Sequence, residues 1–389
     1  MCGIVGYYGS QLPSKQRIKK SLESIEHRGP DGEGIYNHQP ENGYGVFLGH
    51  RRLAILDLDE RSNQPMKIGK HVLIFNGEIY NYLEIRKQLK LIGYKFHTDS
   101  DTEVLFNALL NWGESALSRL EGMWAFALYD SQSRELLISR DRFGEKPIYI
   151  WETKKGIYFA SEIKALKALV GELPEKNEEH ILRYLINGYK SVYKTEQTFY
   201  KHIKELKASS NILFSPKNEP KQKLYWMPCD STEKDMSYEN AINQTRECLI
   251  NAVGLRMRAD VPMAFCMSGG VDSISIISIA SKIFNKQING YTIINDDERY
   301  EEKELVDFAV KDLGINHSSV RLDKANFIEK LKKLITCHDA PIYTISYYIH
   351  SQLMKEISAD GYKISISGTG ADELFSGYYD HHNLYLATI

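Results

Sequence analysis

The chain opens Met1-Cys2-Gly3-Ile4-Val5-Gly6, which sets a thiol beside the amino terminus. A start methionine followed by so small a residue is normally removed, so the mature chain is expected to begin at Cys2. One residue then carries a thiol, ordinarily of pKa about 8.5, and an α-amine of about 7.7–8.0. The neutral amine is a competent base for the thiol, directly or through one water. Three polar clusters offer complementary chemistry. Arg52-Leu53-Ala54-Ile55-Leu56 brings a guanidinium that can grip a carboxylate with two hydrogen bonds. Asn76-Gly77-Glu78 brings an amide, a glycine N–H and a carboxylate, and Asp101 lies in Ser100-Asp101-Thr102-Glu103. A thiolate attacking a carboxamide creates an oxyanion, which Asn76 and the Gly77 N–H can hold. Arg52 and Asp101 can take the two charged ends of a free amino acid. Each cluster also has a plain structural use, since Asn-Gly is a turn signal and Ser-x-x-Glu a helix-capping box.

A second constellation lies in the other half. Ser268-Gly269-Gly270-Val271-Asp272-Ser273 falls between an apolar run, Pro262 to Met267, and a helical pattern, Ile274 to Phe284. Glycines let backbone N–H groups face inward, and a following helix N-terminus adds positive dipole, so the segment reads as a phosphate loop. The serine hydroxyls can donate as well, and Asp272 can hold Mg²⁺ against phosphate charge. No lysine follows the second glycine, so this is not a Walker A loop.

The elements that must position these residues differ between the halves. His71 to Phe75, Met123 to Tyr129, Arg134 to Ser139 and Pro147 to Trp151 read as short strands, and Tyr82 to Leu91 carries helical spacing. This implies layered sheets with helices outside. Lysine, proline, serine and asparagine gather from Lys204 to Asp235, which reads as a linker. Helix then alternates with strand: Tyr238 to Met257, Pro262 to Met267, Ile274 to Phe284, Gly290 to Ile294, Glu301 to Leu313 and Lys363 to Ile366. Such alternation implies a parallel sheet flanked by helices.

Length and composition bound the rest. At 389 residues and 42% hydrophobic, the chain has enough apolar material for two cores. Lys plus Arg number 49 against 51 Asp plus Glu, so no basic field argues for nucleic acid. The five cysteines (2, 229, 248, 266 and 337) show no paired spacing, which speaks against a zinc site or a disulfide framework and fits a reducing cytoplasm. No run is long and apolar enough for a membrane span.

Cys2-Gly3-Ile4-Val5-Gly6, His27-Arg28-Gly29-Pro30-Asp31, Arg52-Leu53-Ala54-Ile55, Gln64-Pro65-Met66 and Asn76-Gly77-Glu78-Ile79-Tyr80-Asn81 together resemble the glutaminase domain of glutamine-hydrolysing asparagine synthetases. Ser100-Asp101-Thr102-Glu103, Arg140-Asp141-Arg142-Phe143-Gly144 with Lys146-Pro147, and Phe159-Ala160-Ser161-Glu162 continue the pattern in order. The resemblance implies an N-terminal-nucleophile αββα sandwich over residues 2–204, a linker over 205–235, and an incomplete ATP-pyrophosphatase-type parallel α/β domain over 236–389. It makes Cys2 the nucleophile, Asn76 and Gly77 the oxyanion hole, and Arg52 to Leu56, Asn76 to Glu78 and Asp101 the glutamine pocket.

In the second half, Ser268 to Ser273 resembles a pyrophosphate loop, and Ser367-Gly368-Thr369-Gly370-Ala371-Asp372 the second signature loop of the synthetase domain. The resemblance assigns Cys266 and Ile293 to the adenine and ribose pocket, and Ser268, Gly269, Gly270, Ser273, Ser367 and Gly368 to the nucleotide. It makes Asp272 and Asp372 the Mg²⁺ ligands and places Thr369 and Asp372 at acceptor activation. Asp339-Ala340-Pro341 matches a loop near the acid substrate. ATP, Mg²⁺, glutamine and aspartate are the implied small molecules.

Two departures qualify the match. The family pattern continues beyond this chain through a mostly helical part carrying a pyrophosphate-binding lysine, so the expectation is a fragment, an interrupted gene, or a separate chain that supplies the rest. Thr369 stands where many members carry an acid, which opens a sugar carboxylate in surface-polysaccharide assembly as an alternative acceptor. A remnant that only binds or hydrolyses glutamine is a further alternative, and a homodimer is an open one.

Overall fold

The computed structural model describes residues 1–41, 43–228, 235–294 and 302–388. The chain divides into two compact units, Met1–Thr232 with Ile335–Tyr343, and Glu233–Leu334 with Thr344–Ile389. Among the described residues no helix is long and apolar enough to cross a membrane.

The first unit is built on strands β1 (Gly3–Gly9), β2 (Gly32–His38), β3 (Gly45–Arg52), β4 (Met66–Ile68), β5 (His71–Ile79), β6 (Gly122–Asp130), β7 (Glu135–Arg140), β8 (Tyr149–Thr153), β9 (Gly156–Ala160), β10 (Ile203–Glu205), β11 (Ser210–Ser215) and β12 (Asn218–Leu224). They form two six-stranded sheets, ordered β10-β8-β9-β1-β3-β2 and β12-β11-β7-β6-β5-β4. Helices α1 (Lys15–Ser24), α2 (Tyr82–Leu91), α3 (Asp101–Trp112), α4 (Ile163–Val170) and α5 (Glu178–Asn187) accompany them.

Alternation along the strands explains the layering. Ile4, Tyr8, Val46 and Leu48 of the first sheet meet Val72, Ile74, Ala125, Ala127 and Ile138 of the second in one buried cluster. The opposite side chains of the first sheet, Val5, Tyr7 and Phe47, pack on Ile18 and Leu22 of α1 and Leu166 and Leu169 of α4. Those of the second, Leu73, Phe75, Trp124 and Phe126, pack on α2 and α3. The order helix, sheet, sheet, helix follows, and it explains why Met123 to Tyr129 is apolar on both faces.

The segment expected to be a linker is corrected over its first part. Residues 205–224 end β10 and then form β11 and β12, which belong to the second sheet. Composition misled because β12 is an exposed edge strand, where lysines and Pro220 are tolerated, while Phe214 of β11 is buried between the sheets. Positions 229–234 of that reading lie outside the described residues.

In the second unit, β13 (Met263–Cys266), β14 (Asn289–Ile294), β15 (Asn316–Arg321) and β16 (Ile364–Ile366) form a sheet ordered β15-β14-β13-β16, parallel throughout. Its helices are α6 (Tyr238–Arg256), α7 (Val271–Ser278, continued by a π-turn over Ile279–Ile283), α8 (Lys303–Leu313), α9 (Phe327–His338, whose last residues belong to the first unit), α10 (Ile345–Ala359), α11 (Ala371–Phe375) and α12 (Tyr379–Leu386). The Glu301 at which α8 was expected to start lies outside the described residues. One sheet face packs on α6, α7 and α8 through Phe265, Val253, Ile277 and Val306, and the other on Leu353 and Ile357 of α10.

Phe126 is fully buried between the second sheet and its helices. Phe126→Ala should therefore destabilise the first unit by about 3–5 kcal/mol through lost transfer energy and a residual cavity. Urea unfolding followed by the fluorescence of the buried Trp124 measures it, and a midpoint unchanged from wild type would contradict this packing.

Candidate active site

Strand β5 positions the oxyanion residues through an incomplete edge. In the antiparallel ladder Gly77 faces Trp124, Phe75 faces Phe126 and Leu73 faces Leu128. The Trp124 carbonyl and amide are both taken by Asp141, on the β7 side, at 2.8 and 3.2 Å. Strand amides alternate in direction, so Phe75, Gly77 and Ile79 turn their N–H groups away from β6. Beyond Leu73 that edge has no neighbouring strand, because β4 pairs only with His71 to Leu73. The Phe75 N–H goes to Gln64 Oε1 at 2.6 Å, and the Ile79 N–H to Asp101 Oδ2 at 2.9 Å. Between them the Gly77 N–H has no partner among the described residues. A side chain at Gly77 would stand 2.1 Å from the Met123 carbonyl, so only glycine fits here. Next to it Asn76 is 1% exposed, and neither of its amide atoms has a hydrogen-bond partner among the described residues.

Cys2 lies just before β1 and shares the parity of Ile4, whose side chain enters the space between the sheets. Its Sγ is 3.3 Å from the Leu53 N–H. Cys2, Arg52, Leu53, Ile55, Leu56, Gly77, Glu78 and Asp101 line one cavity of about 340 Å³ including its open mouth. Ala54 is buried beside it, its amide held by Asp31 Oδ2 at 2.8 Å.

The Arg52 reading needs adjustment. Its Nη1 donates to Asp59 O at 2.8 Å and Asn63 Oδ1 at 2.9 Å, and its Nη2 to Leu56 O at 3.3 Å and to Asp57 O. The terminal nitrogens thus shape the 56–63 loop. A carboxylate ligand would use Nε or exchange with one of those carbonyls, rather than meet an open fork.

The charges around the cavity are perturbed together. Burial pushes the Cys2 thiol up, so the resting group is the thiol, although the Leu53 N–H and the neighbouring amine pull the other way. Burial, reinforced by Arg28 and Lys146, lowers the terminal amine of the Met1-bearing chain to about 6. Burial raises the Glu78 carboxyl well above its usual range, with Asp101 adding to the effect. Asp101 is raised to about 6 by burial, against the N–H groups it accepts from. Lys146 is lowered by burial, and its Nζ contacts Met1 Sδ at 2.9 Å.

Sequence reasoning missed Lys146, Gln64, Ser62, Phe75, Ser100 and Thr102 as parts of this site. Phe75 and Ser100 are direct neighbours of residues that it named. Gln64 and Lys146 stand in motifs quoted above, yet nothing in their spacing reveals the cavity.

In the second unit the two signature loops leave neighbouring parallel strands, β13 and β16, at their C-terminal ends. Chain order reverses between these strands, so the loops flank a topological switch point where α/β sheets bind ligands. A Cβ on Gly368 would lie 3.0 Å from Asp272 Cβ and from the Ser273 N, so the loops touch. Ser268 Oγ and Ser273 Oγ are 3.0 Å apart, and Ser367 Oγ donates to Thr369 Oγ1 at 3.1 Å. The Gly269 N–H donates to the Glu302 carboxylate at 2.8 Å, so the loop already receives an anion. Cys266 and Ile293 border one hydrophobic cluster, and burial raises the Cys266 thiol. Among the described residues no group of three or more His, Cys, Asp or Glu side chains could hold a metal. Asp272 opens α7 and Asp372 follows the second loop, a sparse donor set that fits Mg²⁺, which takes one or two carboxylates and completes its shell with phosphate and water. Asp339, placed by resemblance near the acid substrate, falls in the first unit, where it accepts from the Lys164 N–H at 2.8 Å and pairs with Lys167.

Residues 1–226 match the glutamine amidotransferase domain model and residues 244–388 the asparagine synthase model. The chain belongs to the glutamine-hydrolysing asparagine synthetase family. Asparagine synthetase [glutamine-hydrolyzing] 1 of Bacillus subtilis is 32% identical over 392 residues, covering 97% of this chain and 59% of its own length. A Methanocaldococcus jannaschii relative carrying the same family name is 30% identical over 406 residues, covering 99% of this chain and 77% of its own. Amidase chry2 of Gibberella zeae is 29% identical over 415 residues, covering 97% of this chain and 59% of its own. The chain thus spans about three fifths of the B. subtilis relative.

Asp101 also sets a testable pH dependence. A carboxyl that ionises near 6 when folded and near 3.9 when unfolded disfavours the folded chain once both are charged. Its contribution is best below about pH 4 and is lost as pH rises through about 6. Asp101→Asn, which keeps the acceptor for Ile79, should therefore melt higher than wild type at pH 8 and alike at pH 4. An advantage that grows on acidification would contradict the buried, uncompensated carboxylate.

Proposed function

We propose that this chain hydrolyses glutamine at Cys2 and belongs to a carbon–nitrogen ligase that passes the released ammonia to an ATP-activated carboxylate, aspartate in the first instance. The observation that carries the reading is the meeting of the Cys2 thiol and the unpartnered Gly77 N–H at a single small cavity, with the buried, unpartnered Asn76 amide on the residue next to Gly77. Removal of Met1 would give Cys2 the terminal amine, placing a base on the residue that carries the thiol. The amine takes the thiol proton, Sγ attacks the carboxamide carbon, and Asn76 and Gly77 hold the oxyanion. The amine returns the proton to the leaving ammonia, and water then cleaves the thioester. Glu78 and Asp101 face the substrate ammonium, and the Arg52 side its carboxylate.

The second unit would contribute adenylation. The loops at Ser268–Ser273 and Ser367–Asp372 hold the nucleotide, and Asp272 and Asp372 hold Mg²⁺, which neutralises phosphate charge when bound. A carboxylate is a poor electrophile, and ammonia released inside the protein stays unprotonated beside the activated acid. A second acceptor class has its own support, namely Thr369 in the acceptor loop and the amidase name of a relative of equal coverage. Pyrophosphate release measured with ATP, Mg²⁺, glutamine and a panel of carboxylates separates the two, because only the true acceptor stimulates it.

For the glutaminase half, intact mass should show a chain beginning at Cys2. Cys2→Ala should abolish glutamate formation from glutamine, while Asn76→Ala should lower kcat by about 10²–10³ with KM little changed. Wild-type hydrolysis by the Cys2→Ala protein would remove Cys2 from the nucleophile role.

A further inference from the structure

Phe75 is held by side chains where a strand residue would usually be held by another strand. Gln64 Oε1 accepts its N–H at 2.6 Å, and His50 Nε2 stands 3.1 Å from its carbonyl. His50 is 0% and Gln64 6% exposed. A carbonyl only accepts, so His50 carries its proton on Nε2 and donates it, which fixes the tautomer. Burial pushes the ring's pKa down to about 3, so it stays a neutral donor at any working pH. Gln64 is anchored in turn, its Nε2 donating to Thr102 Oγ1 at 3.3 Å on α3, one residue from the Asp101 that holds Ile79.

His50 lies in β3, on the inward face that also carries Val46 and Leu48, so its hydrogen bond ties the first sheet to the second. The Phe75 carbonyl shares a rigid peptide plane with the Asn76 N and Cα. Fixing that carbonyl therefore fixes where Asn76 begins, and the Gly77 N–H follows one peptide plane further on, across the Asn76 torsions. An ordinary neighbouring strand could not do this, because its ladder would continue and consume the Gly77 N–H. Side chains can clamp residues 75 and 79 and leave 77 open.

We propose that His50 and Gln64 are positioning residues of the oxyanion hole, acting through the Phe75 peptide groups. The proposal rests on the Asn76–Gly77 reading above. It makes neither residue a base or nucleophile, and His50 does not line the cavity.

The test uses the 389-residue chain and steady-state glutamine hydrolysis, with thermal unfolding as a check on folding. His50→Leu removes the donor, and His50→Gln restores an N–H at the reach of Nε2. Misaiming a donor by about 1 Å costs on the order of 10²-fold, so His50→Leu should lose about that much kcat with KM nearly unchanged, and His50→Gln should recover most of it. If His50→Leu fails to fold, His50→Asn takes its place, since its shorter amide cannot reach the carbonyl. Loss in Asn with recovery in Gln supports the clamp. Equal kcat across wild type, Leu (or Asn) and Gln, or an equal loss in both substitutions, overturns it. Asn76→Ala is measured alongside: full activity there sinks the oxyanion reading itself, whereas loss there with unaffected His50 variants sinks only the clamp.

Discussion

A strand edge left deliberately unpaired is the constraint on which the first unit turns. Buried backbone amides almost always find partners, and one that does not is costly unless something else will use it. β4 ends early, Gln64, His50 and Asp101 take up Phe75 and Ile79, and the Gly77 N–H remains. Much of the surrounding architecture serves this gap. Asp141 draws the Trp124 backbone to the far side, and the close approach of Met123 O excludes every residue but glycine. The Asn76 amide, buried and unpartnered, adds a second unmet donor at the same place.

The two sheets contribute unequally. The first brings the thiol, because Cys2 immediately precedes its central strand β1, and the Arg52 loop leaves the end of β3 beside it. The second brings the amide groups through β5. The site therefore exists only where the two sheets face each other, and the apolar layer between them fixes its spacing. The hydrogen bond from His50 to Phe75 crosses that layer at its polar end.

Legibility in the sequence followed distance along the chain. Cys2, Asn76-Gly77-Glu78 and Ser268-Gly269-Gly270 could be read because their chemistry lies within a few residues and their flanking strands are strongly apolar. The alternation that gives β13, β14 and β16 with α6, α7 and α8 was legible for the same reason, whereas β15, α9 and α10 were not read. Gln64, Lys146 and His50 were not, since each works through a residue 11 or more positions away, such as Phe75 for Gln64 and Met1 for Lys146. Arg52 was legible as a site residue but not as the organiser of the 56–63 loop, because backbone carbonyls leave no mark on composition. β12 was misread because an edge strand carries the same lysines and proline as a linker.

The clustering of perturbed groups around Cys2 has a consequence for how the site carries charge. Glu78 and Asp101 are raised and Lys146 is lowered, and Glu78 interacts with both of the others. In such a set no proton belongs to one residue. Protons distribute over the ensemble, and each apparent midpoint is a property of the whole cluster. The cavity therefore behaves as a small proton buffer. When an amino acid enters with its own ammonium and carboxylate, its charges re-partition those protons before any bond is made, so binding itself takes up or releases protons.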